Sequence, residues 1–390
     1  MRSCGCLLRT RRQWLAIACA ALAIAVTYPL QVGRAWKSGI FPPPTHLNID
    51  SHEWTDIINT VPFMSETLPM HLSRPLYPGP AYFVKQIIGL SADALVLLRI
   101  TNMVWLLVCV VTLHCWTLHW TGSALSGLVA VVFFCLSPCV QIYLSQPVPT
   151  VIGNAAALVP LLLVVWAAST QRTPHVPAAA KWVLAGGLSA ILMLGKEVYA
   201  IYVCLALAAL WRRAWKPLMY FSLAVAAVNL AWFAYVHFEI GRAYRPYGEN
   251  QQGFLSWIWN DFARRGFAQQ MIFLPRLLAR MAVRSIQAFE LWPVVLAGLG
   301  FYMLKRRPVL ELFSYAVAFL VMFFAINVVT PRICFLMYPA IYPLAAYGAV
   351  VIGQRTLARS RALGVAWIML LALLTVAGAL VDPYAFYYYG

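Results

Sequence analysis

The sequence predicts an all-α polytopic membrane protein with about eleven transmembrane helices. Three observations carry that expectation. Of 390 residues, 62% are hydrophobic and only 11% charged, with a mean hydropathy of +0.75, whereas a soluble domain carries about a quarter charged residues. Apolar runs near twenty residues recur along the chain, the length that crosses about 30 Å of hydrocarbon. The period-2 alternation of a barrel strand is absent, and only helices or closed barrels satisfy their own backbone in lipid.

The expected spans, in order, are 14–31, 94–118, 123–143, 149–169, 181–195, 198–211, 217–238, 290–304, 309–328, 333–353 and 362–381. The first follows Arg2, Arg9, Arg11 and Arg12 and shares small residues with a signal peptide. Its apolar run is nevertheless long enough to span, so a retained anchor is expected. The fifth and sixth spans are short and meet at Lys196-Glu197, which points to a tilt or break there. The turn at 119–122 has no charges and is the least marked.

A net charge of +17 would suggest nucleic acid in a soluble protein. Here its distribution explains it. Basic residues cluster at Arg172 with Lys181, at Arg212-Arg213-Lys216, at Lys305-Arg306-Arg307 and at Arg355-Arg359-Arg361, all in short connections of one parity. The acids Asp50, Glu53, Asp56, Glu66, Glu239, Glu249 and Asp261 fall in the two long connections of the other parity. Positive charge near span ends stays cytoplasmic. The expected topology therefore has a cytoplasmic N-terminus, an inner-membrane location and extracytoplasmic segments 32–93 and 239–289, all within a single integral-membrane domain, 1–390. Nucleic acid is not an expected partner; membrane lipids are.

Nine cysteines are present, mostly within apolar runs and with no CxxC pair, so buried free thiols are expected rather than disulfides or zinc. In the second long connection, Trp257, Trp259, Phe262, Phe267 and Phe273 alternate with Arg264, Arg265, Arg276, Arg280 and Arg284, a pattern for helices lying in the headgroup region. The tail 382–389 is aromatic and reads as an interface anchor. Arg99, inside the second span, has two readings: a partner for Asp93 or a site residue. Glu290 and Glu311 flank spans and receive no role. His46, His52 and His71 share the first long connection and leave a divalent metal ion open, with no metal ligand assigned and no cofactor required.

Almost every ionisable group able to do chemistry lies on the expected outer side. Asp50 and Glu53 are three apart and would share a helix face. Such a carboxylate is either part of a solvated acidic loop or, if partly desolvated, a general base with a raised pKa. In order along the chain come Asp50-Ser51-His52-Glu53-Trp54, Arg74-Pro75-Leu76-Tyr77-Pro78, Gly195-Lys196-Glu197 and Pro331-Arg332 through Tyr338-Pro339. Together with Leu98-Arg99, this series resembles the motifs of C-type (GT-C) glycosyltransferases, among them bacterial relatives of protein O-mannosyltransferases and the lipid A aminoarabinose transferase.

The resemblance implies a GT-C-like bundle with extracytoplasmic loop helices. It also implies transfer of a sugar from a polyprenyl-phosphate carrier to an extracytoplasmic lipid, polysaccharide or protein. Asp50 matches the family's motif aspartate and is the implied general base, with Glu53 as its substitute. Arg74, Lys196 and Arg332 are the implied phosphate partners, because a fixed cation suits phosphate oxygens. Tyr77 and Glu197 complete the implied binding set. Trp54 stands where the family has tyrosine, and no sizeable soluble segment follows the last expected span. Acceptor recognition would then fall to 239–289 or to the lipid phase. The competing readings are a transporter or flippase for a lipid-linked substrate, which would need paired charges deep in several spans, and a non-catalytic subunit of a membrane complex.

Overall fold

The computed structural model describes residues 49–59, 63, 74–88, 93–137, 139–140, 149–169, 177–196, 198–239, 254–304, 309–326 and 331–380. The expected first span, His46 and His71, Glu197 and the aromatic tail lie outside them. All the described elements are helical. Two precede the first long span: α1 (Ile49–Asn59) and α2 (Gly79–Ile88). Then follow α3 (Ala94–Thr121), α4 (Ala124–Leu136), α5 (Thr150–Ala168), α6 (Ala178–Met193), α7 (Tyr199–Trp211) and α8 (Trp215–Phe238). Two helical segments joined by a kink at Gly266 (φ 67°, ψ 154°) form α9 (Phe254–Phe289), which leads into α10 (Leu291–Met303) and α11 (Val309–Ile326). A short turn of helix, α12 (Pro331–Cys334), passes through a 3-10 turn at Phe335–Met337 into α13 (Tyr338–Arg359), and α14 (Arg361–Leu380) follows.

Among the described residues, five helices are long and apolar enough to cross a membrane, or six if the bent pair α9–α10 counts as one span. The chain is thus an all-α integral membrane protein, while the count of eleven remains an expectation. Four further apolar helices have 10–17 residues within the described part of the chain: Ala124–Leu136, Ala178–Met193, Ile201–Trp211 and Val309–Val321.

Several breaks have local causes. The uncharged turn between α3 and α4 is made by Gly122 at φ 68°, which caps α3, and by Ser123, whose hydroxyl accepts from Ser126 N–H at 3.1 Å. Glycine supplies the left-handed conformation and serine the N-cap. The expected break near Lys196-Glu197 is present, since α6 ends at Met193 and α7 starts at Tyr199. Asp93 does not pair with Arg99. Its carboxylate instead caps α3, accepting from Leu95 N–H at 2.8 Å, because the first helical turn offers unsatisfied N–H groups closer at hand. Of the described cysteines, Cys109, Cys135, Cys139, Cys204 and Cys334 are buried and Cys115 is half-buried.

The core forms where α3, α4, α5 and α13 pack together, with α10 and α14 against α13, α6 against α5 and α8, and α7 against α11. In lipid there is no water to drive helices together, so close approach between small residues does much of the holding. At the α10–α13 crossing Gly300 faces the Leu344 carbonyl and Gly348, and a Cβ on Gly348 would lie 2.6 Å from the Leu296 carbonyl. Gly300→Val is therefore expected to cost about 1–3 kcal/mol of stability through overpacking. Gly298, two residues away, has open space around it, and Gly298→Val is the matched control. Thermal unfolding in detergent decides the point, and equal melting temperatures for the two variants would refute the contact.

The α9–α10 corner has a different character. The two helices meet at 101°, and the residue between them, Glu290, has φ 63° and ψ 159°. That region is populated almost only by glycine and costs other residues on the order of 1–3 kcal/mol. The Glu290 carboxylate accepts from the Trp292 indole N–H at 2.9 Å, and Trp292 meets Phe133 of α4 edge-on at 4.9 Å.

Candidate active site

The first two sequence motifs fold onto each other. Within α1, Trp54, Ile57 and Ile58 are buried while Asp56 and Asn59 face outward. The acidic stretch is thus a helix rather than a loop, with its apolar side closed against the bundle. Asp50 and Glu53 occupy helical positions in it, Asp50 one turn before Trp54, and their side chains lie outside the described residues.

The segment Arg74–Pro78 forms a tight turn leading into α2, with Tyr77 N–H donating to the Arg74 carbonyl at 3.2 Å and Gly79 N–H to the Pro75 carbonyl at 2.9 Å. Arg74 is buried. Tyr77 is fully buried and meets Trp54 edge-on at 5.2 Å, the arrangement aromatic quadrupoles favour. Tryptophan in place of the expected tyrosine therefore serves as packing against the second motif. Lys85 of α2, also buried, donates to the Asn59 side-chain oxygen at 2.5 Å and ties α2 to the end of α1.

Trp54, Tyr77 and Leu98 share one buried cluster with Ile152 near the start of α5 and Val236 near the end of α8. The third motif arrives at the same place. The Leu76 N–H donates to the Leu194 carbonyl at 3.0 Å. Gly195 packs on Ile152, and a Cβ on Gly153 would lie 2.9 Å from Cγ of Lys196. The stem of Lys196 thus lies against α5 only because residue 153 has no side chain. Glu197 is outside the described residues.

The fourth motif closes the arrangement from the other side. The helix breaks at 335–337, and the carbonyls freed by the break and by its prolines are satisfied from neighbouring helices. Tyr315 donates to the Leu336 carbonyl at 2.6 Å and the Trp116 indole to the Pro339 carbonyl at 2.8 Å. Tyr338 donates to the Asn154 carbonyl at 2.8 Å. Irregular backbone at this depth persists only when protein groups complete it. Arg332 sits in α12 just before the break, with its side chain outside the described residues.

Residues 152–154 of α5 are therefore the meeting point: the first two motifs share the Ile152 cluster, the third lies on Gly153, and the fourth bonds Asn154. Around this strip the interior keeps polar atoms that the protein does not satisfy. The Tyr77 hydroxyl, Arg99 Nε and Asn154 Oδ1 are buried without a hydrogen-bond partner. Asn102 lies close enough to Tyr77 to ease its ionisation slightly, yet short of hydrogen-bond geometry with the hydroxyl. Burial pushes the Tyr77 phenol well above its usual value, so it stays a neutral donor. Orphaned buried polar atoms are rare in native structures and call for a water, an ion or a ligand. No group of three potential metal ligands occurs among the described residues.

Sequence reasoning missed Asn154, Lys85 and Tyr338 as members of this assembly. Tyr338 stood inside a quoted motif, but its partner is 184 positions away and nothing local marks the pair.

The fold and site define a polytopic α-helical membrane protein with a polar, motif-built cluster at one end of its bundle. No model of a known protein family matches the sequence, and no curated protein matches it. Among solved structures, the chain is similar to the crystal structure of ArnT from Cupriavidus metallidurans in the apo state, with a TM-score of 0.45 and 13% identity over 79% of this chain. It covers 56% of that chain.

Proposed function

We propose that this protein is a membrane glycosyltransferase that moves a sugar from a polyprenyl-phosphate carrier to an acceptor on the extracytoplasmic side of the inner membrane. The observation that supports it best is the convergence of four separate motifs on residues 152–154 of α5. Unrelated loop segments have no reason to meet there, whereas parts of one site do.

In this reading Asp50 removes the acceptor hydroxyl proton, with Glu53 as its substitute. Arg74, Lys196 and Arg332 stabilise the phosphate that leaves when the glycosidic bond breaks. Tyr77 and Glu197 complete the binding set, and the orphaned Tyr77 hydroxyl and Arg99 Nε are further donors suited to an anion. The charge asymmetry supports an extracytoplasmic position for this end. The basic turns at 212–216 and 355–361 fall at the far ends of α7 and α13, away from the site.

The experiment compares lipid-linked and surface glycans in cells with and without the gene. Loss of one surface modification with accumulation of its lipid-linked donor is expected. Unchanged glycans and unchanged donor pools would overturn the reading.

A further inference from the structure

At the end of the bundle opposite the candidate site, the turn joining α7 to α8 combines strain, charge and exposed aromatic surface. Helix α7 closes with Ala214 N–H donating to the Ala209 carbonyl at 2.9 Å, and the residue inside that closure is Arg213, at φ 55°. This position is normally glycine, because a Cβ in the left-handed region is strained. The chain keeps an arginine where glycine would fold more easily.

The neighbours give that arginine a context. Trp211 and Trp215 bracket it and are 70% and 63% exposed, and Arg212, Arg213 and Lys216 are all exposed. Arg212 pairs with Glu311 of α11 at 2.5 Å, which fixes the turn against the next helix. No acidic partner to Arg213 or Lys216 occurs among the described residues. Exposed tryptophans beside a span end seat at headgroup level, so two uncompensated cations are held at the depth of lipid phosphates. The other described basic turn on this end, around Arg359 and Arg361, has neither exposed tryptophans nor a positive φ at a non-glycine residue.

We propose that the α7–α8 turn is a binding site for an anionic phospholipid headgroup, with Arg213 and Lys216 holding the phosphate and Trp211 and Trp215 seating against the acyl boundary. A cardiolipin or phosphatidylglycerol headgroup has the required chemistry, and the site does not depend on the sugar-transfer reading.

The test uses the purified full-length protein in detergent, titrated with cardiolipin and followed by native mass spectrometry and thermal unfolding. Phosphatidylethanolamine and inorganic phosphate are the comparison additions. Cardiolipin is expected to stay bound and raise the melting temperature, while the other two do not. Arg213→Ala and Lys216→Ala each weaken retention about fivefold, the effect of one basic residue at a lipid surface. Arg359→Ala leaves retention unchanged.

The decisive variant is Arg213→Gly. Relief of the backbone strain raises its melting temperature without lipid, while its response to cardiolipin falls. Equal losses at Arg213 and Arg359 would reduce the effect to general surface attraction and overturn the site. An Arg213→Gly protein that is less stable without lipid, or that keeps its full cardiolipin response, would overturn it as well.

Discussion

Asp50→Asn is expected to lower sugar transfer at least about a hundredfold, within the range of roughly 10²–10⁴ for loss of general base catalysis. The amide keeps the shape of the side chain and removes its ability to accept a proton. Asp50 stands one turn before Trp54 on α1, and Trp54 anchors that helix against Tyr77 in the cluster shared with α5. Asparagine is nearly isosteric with aspartate, so folding, membrane insertion and donor binding are expected to survive the substitution. Glu53→Gln is expected to be milder. Asp56→Asn, on the exposed side of the helix, should be nearly silent. The measurement is a transfer rate with purified protein and a defined lipid-linked sugar. A fully active Asp50→Asn protein beside an inactive Glu53→Gln protein would move the base by three residues. Activity in both would remove the main support of the enzyme reading.

Arg332→Ala is expected to lower catalytic efficiency with the lipid-phosphate donor about ten- to a hundredfold, the effect of one lost charge-assisted contact to phosphate. Arg332 opens the broken segment whose Tyr338 bonds Asn154, two residues after the Ile152 cluster. Arg355 serves as the comparison. It is exposed near the far end of α13, and Arg355→Ala should leave transfer unchanged. Equal effects from the two substitutions would make Arg332 a membrane anchor only.

Much of this architecture is legible in the linear sequence because hydropathy is a strong signal in lipid. Nearly every described apolar helix begins and ends within a few residues of its expected span. The exceptions are instructive. The span expected over 333–353 runs as one span over Phe335–Arg359 but opens with a 3-10 turn, where Tyr315 and Trp116 satisfy carbonyls, partners that no local pattern reveals. Of the two readings of Arg99, pairing with Asp93 is not the one seen, because a carboxylate just ahead of a helix is taken first by that helix's own N–H groups. The four motifs are readable as segments, but their meeting on α5 is not. It depends on Gly153 and Gly195, and a missing side chain leaves no mark in a hydropathy profile.

The Gly300–Gly348 contact has a mechanical consequence. Backbone against backbone leaves no intervening side chain to change rotamer, so α10 and α13 have no soft layer on which to slide. Under the proposed function a carrier lipid with a long tail would nonetheless enter and leave between helices. The compliance for that traffic has to lie beyond this keel, and on one flank it meets the Glu290 corner. There a single strained residue, its carboxylate accepting one indole hydrogen bond, joins α10 to the arginine-bearing α9. One part of the molecule is braced at the level of its main chain, and the neighbouring part joins it through one strained residue.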